Sequence, residues 1–554
     1  MADYVKLKRT AKKFYDRQKW ELSLRTVFYA AGFMYTMNQI QCDRELEALV
    51  YAIADRLLSP CVTKDEPTPD YIAACKPSFD YVTTGKPFPD YIAADEPAST
   101  GTNTDRHASR SDRQTLTGGQ PSPSGRQTLT DSVVVYYDGF GQISRGMTYI
   151  YLKALTQLGC RVEYVTYEAN RRVHSSAVQL VGEENVYYIV GGSFGAQMKD
   201  LQRILIDSRA GIAFLYMKPD DVVALGVFSH CPAGLKRYLI NLTDHAFWLG
   251  TGIADEVINF REFGVKICIE KRGLDPGKLQ YLPYYPERPE AGRGGTPGLN
   301  ILPFPDESRP LIFSGGTLSK TESPDNGYYR LIERILDTYQ QANFLYLGNG
   351  DSRKLRRLQK KYPDRAAYAA ERKDFFEIME RCTLYLSTYP CNGGLMTQYA
   401  LLAHKIPVTW NHPGIEPELS IRHEESFWNY STQEECLAEI GKLLTDDDYR
   451  HKKEQKLEGF LIDEDEFKQE LQHILLTGRS IRTIGNRPAI FKGFQELPPE
   501  TIQGLGYDRL FFRRNGWYLF RFFPVKFSLG MLAAIFQKTR CLAQSPSPPT
   551  AKRK

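Results

Sequence analysis

Apolar residues first recur at helical intervals. Between Val5 and Leu58, Phe14, Trp20, Leu24, Val27, Phe28, Ala31, Met34 and Tyr35 repeat this way, then Leu46, Leu49, Val50, Ile53 and Leu57. That spacing predicts two or three amphipathic helices. So few helices cannot bury their own apolar face, so they should dock on something larger. The pattern then stops. From Ser59 to Asp131, Asp70-Tyr71, Asp80-Tyr81 and Asp90-Tyr91 recur among Pro, Ser, Thr and Gly, and Arg113-Gln-Thr-Leu-Thr117 returns as Arg126-Gln-Thr-Leu-Thr130. Few large apolar side chains stand there to offset the entropy of ordering, so a disordered linker is expected.

From Ser132 short apolar runs alternate with helical spacing. Val133–Tyr137, Val162–Val165, Val186–Val190, Ile212–Tyr216 and Tyr238–Leu242 read as strands, and Met147, Ile150, Tyr151 and Leu155 as one face of a helix. A Pro- and Gly-rich break near 283–309 reads as a hinge. The alternation then restarts with strands at Leu311–Phe313, Phe344–Leu347, Leu384–Leu386 and Pro407-Val408, and a helix bearing Tyr328, Leu331, Ile332, Ile335 and Leu336. Such alternation predicts an α/β fold of two doubly wound, Rossmann-like domains. The expected organisation is a helical extension (1–58), linker (59–131), first domain (132–290), hinge (291–308), second domain (309–480) and a C-terminal extension (481–554).

Composition narrows the class. A net charge of +5 over 554 residues does not call for nucleic acid. The ten cysteines form no C-x-x-C pair, which suits reduced thiols in a cytosolic protein. The charged N-terminus does not read as a signal peptide, and no apolar run reaches the roughly 20 residues that span a bilayer. The C-terminal stretch interleaves Arg509, Arg513, Arg514, Arg521 and Lys526 with Phe511, Phe512, Trp517, Phe520 and Phe522. It reads as a segment on an anionic membrane surface, as a docked terminal helix, or as a nucleic-acid arm. Of these the membrane surface is the leading expectation, giving a cytoplasmic protein peripheral to the inner face of the membrane.

Candidate chemistry gathers after the strands. Gly393-Gly394 follows the strand at Leu384–Leu386 where a helix should begin, with Asn392 as the expected N-cap. Free N–H groups and the helix dipole at such a terminus suit a phosphate. Gly315-Gly316, followed by Lys320, could bring an ammonium to the same phosphates. Gly139 and Gly141 shape the loop after the first strand. His245, beside Asp244, either faces the ligand, with Asp244 setting its tautomer, or caps a helix starting there. Asp220-Asp221 reads as a helix cap. No spaced acidic pair suggests a metal, and none is expected.

Phe313-Ser-Gly-Gly-Thr-Leu-Ser-Lys-Thr321, with the block Cys382–Val408, resembles the donor-binding half of GT-B glycosyltransferases, closest to bacterial family-4-type retaining enzymes. Asn241–Gly250 and Phe260–Gly264 resemble the N-terminal half of a related subgroup, and the resemblance runs over about residues 132–475. It implies two domains facing across a cleft and transfer of a sugar from a nucleotide diphosphate to an acceptor hydroxyl, without a metal. It implies that Gly315, Gly316, Lys320, Asn392, Gly393 and Gly394 bind the diphosphate and that the acceptor is a glycan or lipid-linked. The family's pair of helix glutamates falls here at Asn392 and Ala400. Gln398 or Thr397 is then left for the ribose or sugar. Two other readings remain open: a catalytically inactive scaffold that recruits partners, and a nucleotide-sugar epimerase.

Overall fold

The structure, a computed structural model, describes residues 2–58, 129–130, 132–141, 146–173, 175–231, 234–289, 302–323, 325–413 and 427–484, with isolated positions at 520, 524, 525, 528 and 532. The repeat-bearing linker and the basic aromatic C-terminal stretch lie outside the described residues, apart from those positions. No described helix is long and apolar enough to cross a membrane.

Two all-parallel sheets organise the chain. The first has order β3-β2-β1-β4-β5-β6-β7, with β1 Val133–Asp138, β2 Arg161–Tyr167, β3 Val186–Ile189, β4 Ile212–Tyr216, β5 Lys236–Ile240, β6 Glu256–Asn259 and β7 Leu279–Tyr281. The second has order β10-β9-β8-β11-β12-β13, with β8 Leu311–Gly315, β9 Asn343–Leu347, β10 Ala366–Ala369, β11 Leu384–Leu386, β12 Pro407–Trp410 and β13 Asn429–Tyr430. Near-continuous apolar runs such as Val133–Tyr137 form these strands because helices cover both sheet faces. This is the expected doubly wound α/β architecture, in two Rossmann-like halves.

The N-terminal helices, α1 (Ala2–Asp16), α2 (Trp20–Met37) and α3 (Arg44–Leu57), find the partner their apolar faces require. Leu24, Val27, Val50, Ile53 and Ala54 share one core with Met198, Leu201, Val223 and Val227 of the first domain. Each fully buried aliphatic side chain contributes about 1.5–3 kcal/mol, so the extension is an integral part of that domain. Polar groups fix its register. Asp43 caps α3 at Glu45 and Leu46 and accepts from Tyr4 Oη and Lys8 Nζ, each at 2.6 Å. Glu21 of α2 accepts from the N–H groups of Phe194 and Gly195 at 3.2 Å, capping the helix Phe194–Ser208.

Three boundaries differ from those expected. Leu129, expected in the linker, is already buried in the first core, where its carbonyl accepts from Cys160 Sγ. Leu302 and Phe304, expected in the hinge, are buried in the second core. The helix Glu464–Thr477 follows the second sheet in the chain but packs on the helix Met147–Gln157 of the first. There Phe467 meets Tyr151 edge-on, and Lys153 Nζ bridges Glu464 (2.5 Å) and Glu287 (3.0 Å).

Candidate functional site

Strand order reverses between β8 and β11 in the second sheet, and ligands of doubly wound sheets bind at such switch points beyond the carboxyl ends of the strands. The two glycine loops singled out in the sequence follow these two strands. After β11, the helix Gly394–Leu402 is capped by Gly393, not by Asn392 as expected, and among the described residues no side chain caps its first turn. Asn392 instead turns its Nδ2 toward Asn411 Oδ1 at 3.4 Å in the loop after β12, and Gly393 supplies the entry turn. The first intrahelical bond runs from Thr397 N–H to the Gly393 carbonyl at 2.9 Å. The N–H groups of Gly394, Leu395 and Met396 precede it, which leaves an anion-attracting terminus.

The β8 loop does not open an α-helix. Gly316 adopts φ +127°, a backbone region essentially reserved for glycine, and a short 3-10 turn, Leu318–Thr321, follows before the helix Gly327–Thr338. The loop is knitted to its neighbour after β9. Gly316 N–H donates to the Leu347 carbonyl and Leu318 N–H to that of Asn349, both at 2.9 Å. The 3-10 turn brings Lys320 to the other glycine loop. Its Nζ lies 3.4 Å from the Asn392 carbonyl, and its own carbonyl accepts from Cys391 N–H at 3.3 Å. Burial pushes the Cys391 thiol up to about 11 despite the nearby Lys320 charge, so it is a neutral wall of this loop.

Thr397 and Gln398 are buried on the same helix, and Gln398 Nε2 reaches the Tyr284 carbonyl at 3.4 Å. Ala400 is fully buried in an apolar cluster with Phe376, Met379, Tyr385 and Tyr399. Arg372 lies ahead of the helix Phe375–Arg381 and forks onto Asp374 at 2.8 and 2.5 Å.

In the first sheet the order reverses between β1 and β4. The β1 loop is built around Asp138, the last residue of that strand. Its carboxylate accepts from Gly141 N–H at 2.7 Å, Tyr164 Oη at 2.8 Å and Thr148 Oγ1 at 3.1 Å. Burial raises its pKa, while these donors pull the other way. Gly141 has φ +65°, and a Cβ there would overlap Asn170. A Cβ on Gly139 would fall 2.6 Å from Asp221 Oδ2. Asp221 caps the helix Val222–Phe228 through Ala224 N–H, as expected, and also accepts from Tyr137 Oη at 2.6 Å.

His245 follows β5. No helix starts there; residues 242–245 are turns, so the helix-cap alternative does not apply. Asp244 is buried and gripped by Arg261, whose Nε and Nη2 lie 2.5 and 2.7 Å from its two oxygens. Burial would raise this carboxyl, but the Arg261 charge and its paired hydrogen bonds override it and hold the group well below the usual carboxylate range. His245 Nδ1 lies 3.3 Å from Asp244 Oδ1. A water-sized notch at the carboxyl ends of β4 and β5, about 10 Å³, is lined by Lys218, Asn241, Thr243 and Trp248. A larger cavity of about 320 Å³ lies toward the opposite edge, between α3 and the turns entering β6 and β7. Among the described residues no three His, Cys, Asp or Glu side chains converge on a possible metal position.

No protein-family model and no curated protein matches this chain. Several solved structures are similar in outline. A mutant of the Thermobaculum terrenum O-GlcNAc transferase matches at 13% identity over 88% of this chain and 82% of its own, with a TM-score of 0.43. A putative UDP-N-acetylglucosamine 2-epimerase from Listeria monocytogenes matches at 10% identity over 63% and 97%, TM-score 0.43. Anabaena HepE, solved with UDP and glucose, matches at 13% identity over 62% and 99%, TM-score 0.43. At these identities and TM-scores no residue of this chain inherits a role from them.

Proposed function

We propose that this protein is a glycosyltransferase that moves a sugar from a nucleotide-diphosphate donor to an acceptor hydroxyl. One observation carries the reading. At the β8–β11 switch point, Lys320 stands against the Asn392 carbonyl beside the unbonded first turn of the helix Gly394–Leu402. As the anomeric C–O bond breaks, negative charge grows on the departing diphosphate. Donors fixed where that charge appears stabilise the transition state more than the ground state. Lys320 and the N–H groups of residues 394–396 are those donors, with Gly315, Gly316, Gly393 and Asn392 shaping their approach. Thr397 or Gln398 contacts the ribose or sugar. His245, with Asp244 behind it, contacts the transferred sugar or the acceptor, and Gly139 and Gly141 shape the acceptor side. The acceptor is a glycan or a lipid-linked sugar, which fits cytoplasmic assembly of bacterial polysaccharide at the inner membrane face. The kinship with family-4-type enzymes rests on Phe313–Thr321 and Cys382–Val408.

Calorimetry with a panel of UDP-, GDP- and ADP-sugars, followed by product analysis, tests the reading. Binding of one donor and its transfer or hydrolysis are expected. Absence of binding across the panel, with Lys320→Ala indistinguishable from the wild type, would sink it. The burial of Ala400 favours a second reading, a scaffold without turnover, because that helix position offers no acid to a ribose. Donor binding without transfer or hydrolysis would select it.

A further inference from the structure

The loop 244–252, which carries His245, is held largely by residues from the far N-terminus of the chain. Asn38 Nδ2 donates to the His245 carbonyl at 3.0 Å, and Phe247 N–H donates to Asn38 Oδ1 at 3.2 Å. Trp248 N–H donates to the Gln41 carbonyl at 3.2 Å. Glu47 accepts from the N–H groups of Gly250 (2.8 Å), Thr251 (2.9 Å) and Gly252 (3.0 Å), and from Thr251 Oγ1 at 2.9 Å. These groups sit at the corner between α2 and α3, and Asn38 and Glu47 are only 1% and 2% exposed. From the other side Arg272 Nη2 donates to the carbonyls of Asp244 (2.8 Å) and Ala246 (2.7 Å).

We propose that the N-terminal extension is a positioning element of the transfer site, in which Asn38 and Glu47 set the loop 244–252 and, through it, the His245 imidazole. The proposal rests on the role given to His245 above. Phe247 and Trp248 are buried and could anchor the loop by apolar contact alone. Apolar contact is non-directional, however, whereas an amide that binds a carbonyl and an N–H two residues on fixes backbone register. Asn38 itself is in the left-handed conformation, φ +48°, which asparagine tolerates better than most residues and which ends α2. The Glu47 carboxylate is out of water; Tyr51 Oη of the same helix donates to one of its oxygens at 3.1 Å, and the loop supplies the other donors that offset its burial. Functional groups must be held to about half an ångström, so loosening this clamp should act on turnover more than on donor affinity. The diphosphate loops belong to the other sheet.

The test uses the full chain with Asn38→Gly, Asn38→Asp, Glu47→Gln and His245→Ala. Glycine accepts the left-handed backbone and deletes both amide bonds. Aspartate keeps the acceptor for Phe247 and loses the donor to His245. Readouts are kcat and KM for hydrolysis of a UDP-, GDP- or ADP-sugar from the panel, and the imidazole ¹H–¹⁵N resonances of His245. In Asn38→Gly and Glu47→Gln, kcat should fall roughly tenfold to a hundredfold, KM should change by less than about twofold, and the ring resonances should move. Asn38→Asp should recover part of the loss. A folded Asn38→Gly with wild-type kcat and ring resonances overturns the proposal; should that variant not fold, the same outcome in Glu47→Gln does so. If His245→Ala turns over like the wild type, the role given to His245 fails. The ring resonances then decide the clamp alone: moved in Asn38→Gly they support it, unmoved they overturn it.

Discussion

Lys320 Nζ stands 3.4 Å from the carbonyl oxygen of Asn392, so the cation of one glycine loop is held against the backbone of the other. That single long contact engages little of an ammonium with three donors. The loops follow β8 and β11, the strands between which the sheet order reverses. A doubly charged diphosphate placed there would meet an ammonium and a helix terminus together.

Lys320→Met keeps the aliphatic stem and removes the charge. Turnover of the donor should fall by about 10²–10³, the usual cost of losing one donor to a developing anion. Binding of free UDP, GDP or ADP, whichever the wild type prefers, should weaken in the same variant. The melting temperature should barely move, because the contact given up contributes only about 1 kcal/mol. Unchanged nucleotide affinity by calorimetry would remove Lys320 from the site.

The Asp244–Arg261 pair makes a prediction in pH. Burial raises the Asp244 carboxyl, but the Arg261 fork overrides it and leaves the pKa depressed in the folded chain. A depressed carboxyl stabilises the fold above its unfolded value of about 3.9 and loses that contribution as pH falls through the folded value. In Arg261→Met the His245 contact remains, but burial becomes the dominant effect and the sign reverses. Stability should drop by about 3–5 kcal/mol near neutrality, because a buried carboxylate is left unpaired. Part of it should return on acidification from about pH 7 to pH 5 as that carboxyl takes up a proton. Urea denaturation across this range checks the sign. An Arg261→Met variant whose stability, relative to the wild type's, does not rise on acidification from about pH 7 to pH 5 would contradict it.

Two glycines of the second domain should fail for different reasons. A Cβ on Gly348 would sit 1.9 Å from the Gly316 carbonyl oxygen, a backbone atom that cannot turn aside. A Cβ on Gly316 meets nothing within 4 Å, but φ +127° is strained for any side chain. Gly316→Ala should therefore cost about 1–3 kcal/mol of conformational strain. Gly348→Ala should cost at least as much and displace the Gly316 loop, which nucleotide affinity would register. Equal affinity in Gly348→Ala and wild type would show that the loop adjusts.

What could be read from the sequence followed the physics of short-range pattern. Val133–Tyr137 and Phe344–Leu347 read as unbroken apolar strands, and the docking of α1–α3 followed from an apolar face with no local partner. Glu256–Asn259 and Leu279–Tyr281 were not legible, being short and carrying polar residues whose partners are remote. Glu256, for example, accepts from Gln280 Nε2 and Lys236 Nζ. The candidate site divides the same way. Glycine loops after strands could be placed, because turn chemistry is local. The contact of Lys320 with Asn392 and the grip of Asn38 on His245 join residues distant in sequence, and no periodicity encodes them.

Ala400 sets packing against resemblance. The family pattern would put a ribose-binding glutamate there, but this side chain is fully buried among Phe376, Met379, Tyr385 and Tyr399. A carboxylate at that position would leave water without a hydrogen-bonding partner, at a cost of several kcal/mol, or would stay protonated at neutral pH. Ala400→Glu should therefore lower the melting temperature clearly and should not raise donor affinity. Thr397 and Gln398, a turn or less away, are also buried, and Gln398 Nε2 is directed at the Tyr284 carbonyl between the two sheets. A ribose contact from this helix thus requires its exposed first turn or a shift of the Tyr284 segment. Gln398→Ala distinguishes the two. Weaker donor binding with an unchanged melting temperature assigns Gln398 to the ligand; a lower melting temperature with unchanged affinity assigns it to the joint between the halves. A tighter-binding Ala400→Glu variant would mean that this helix face reaches the donor after all and that the apolar cluster yields to it.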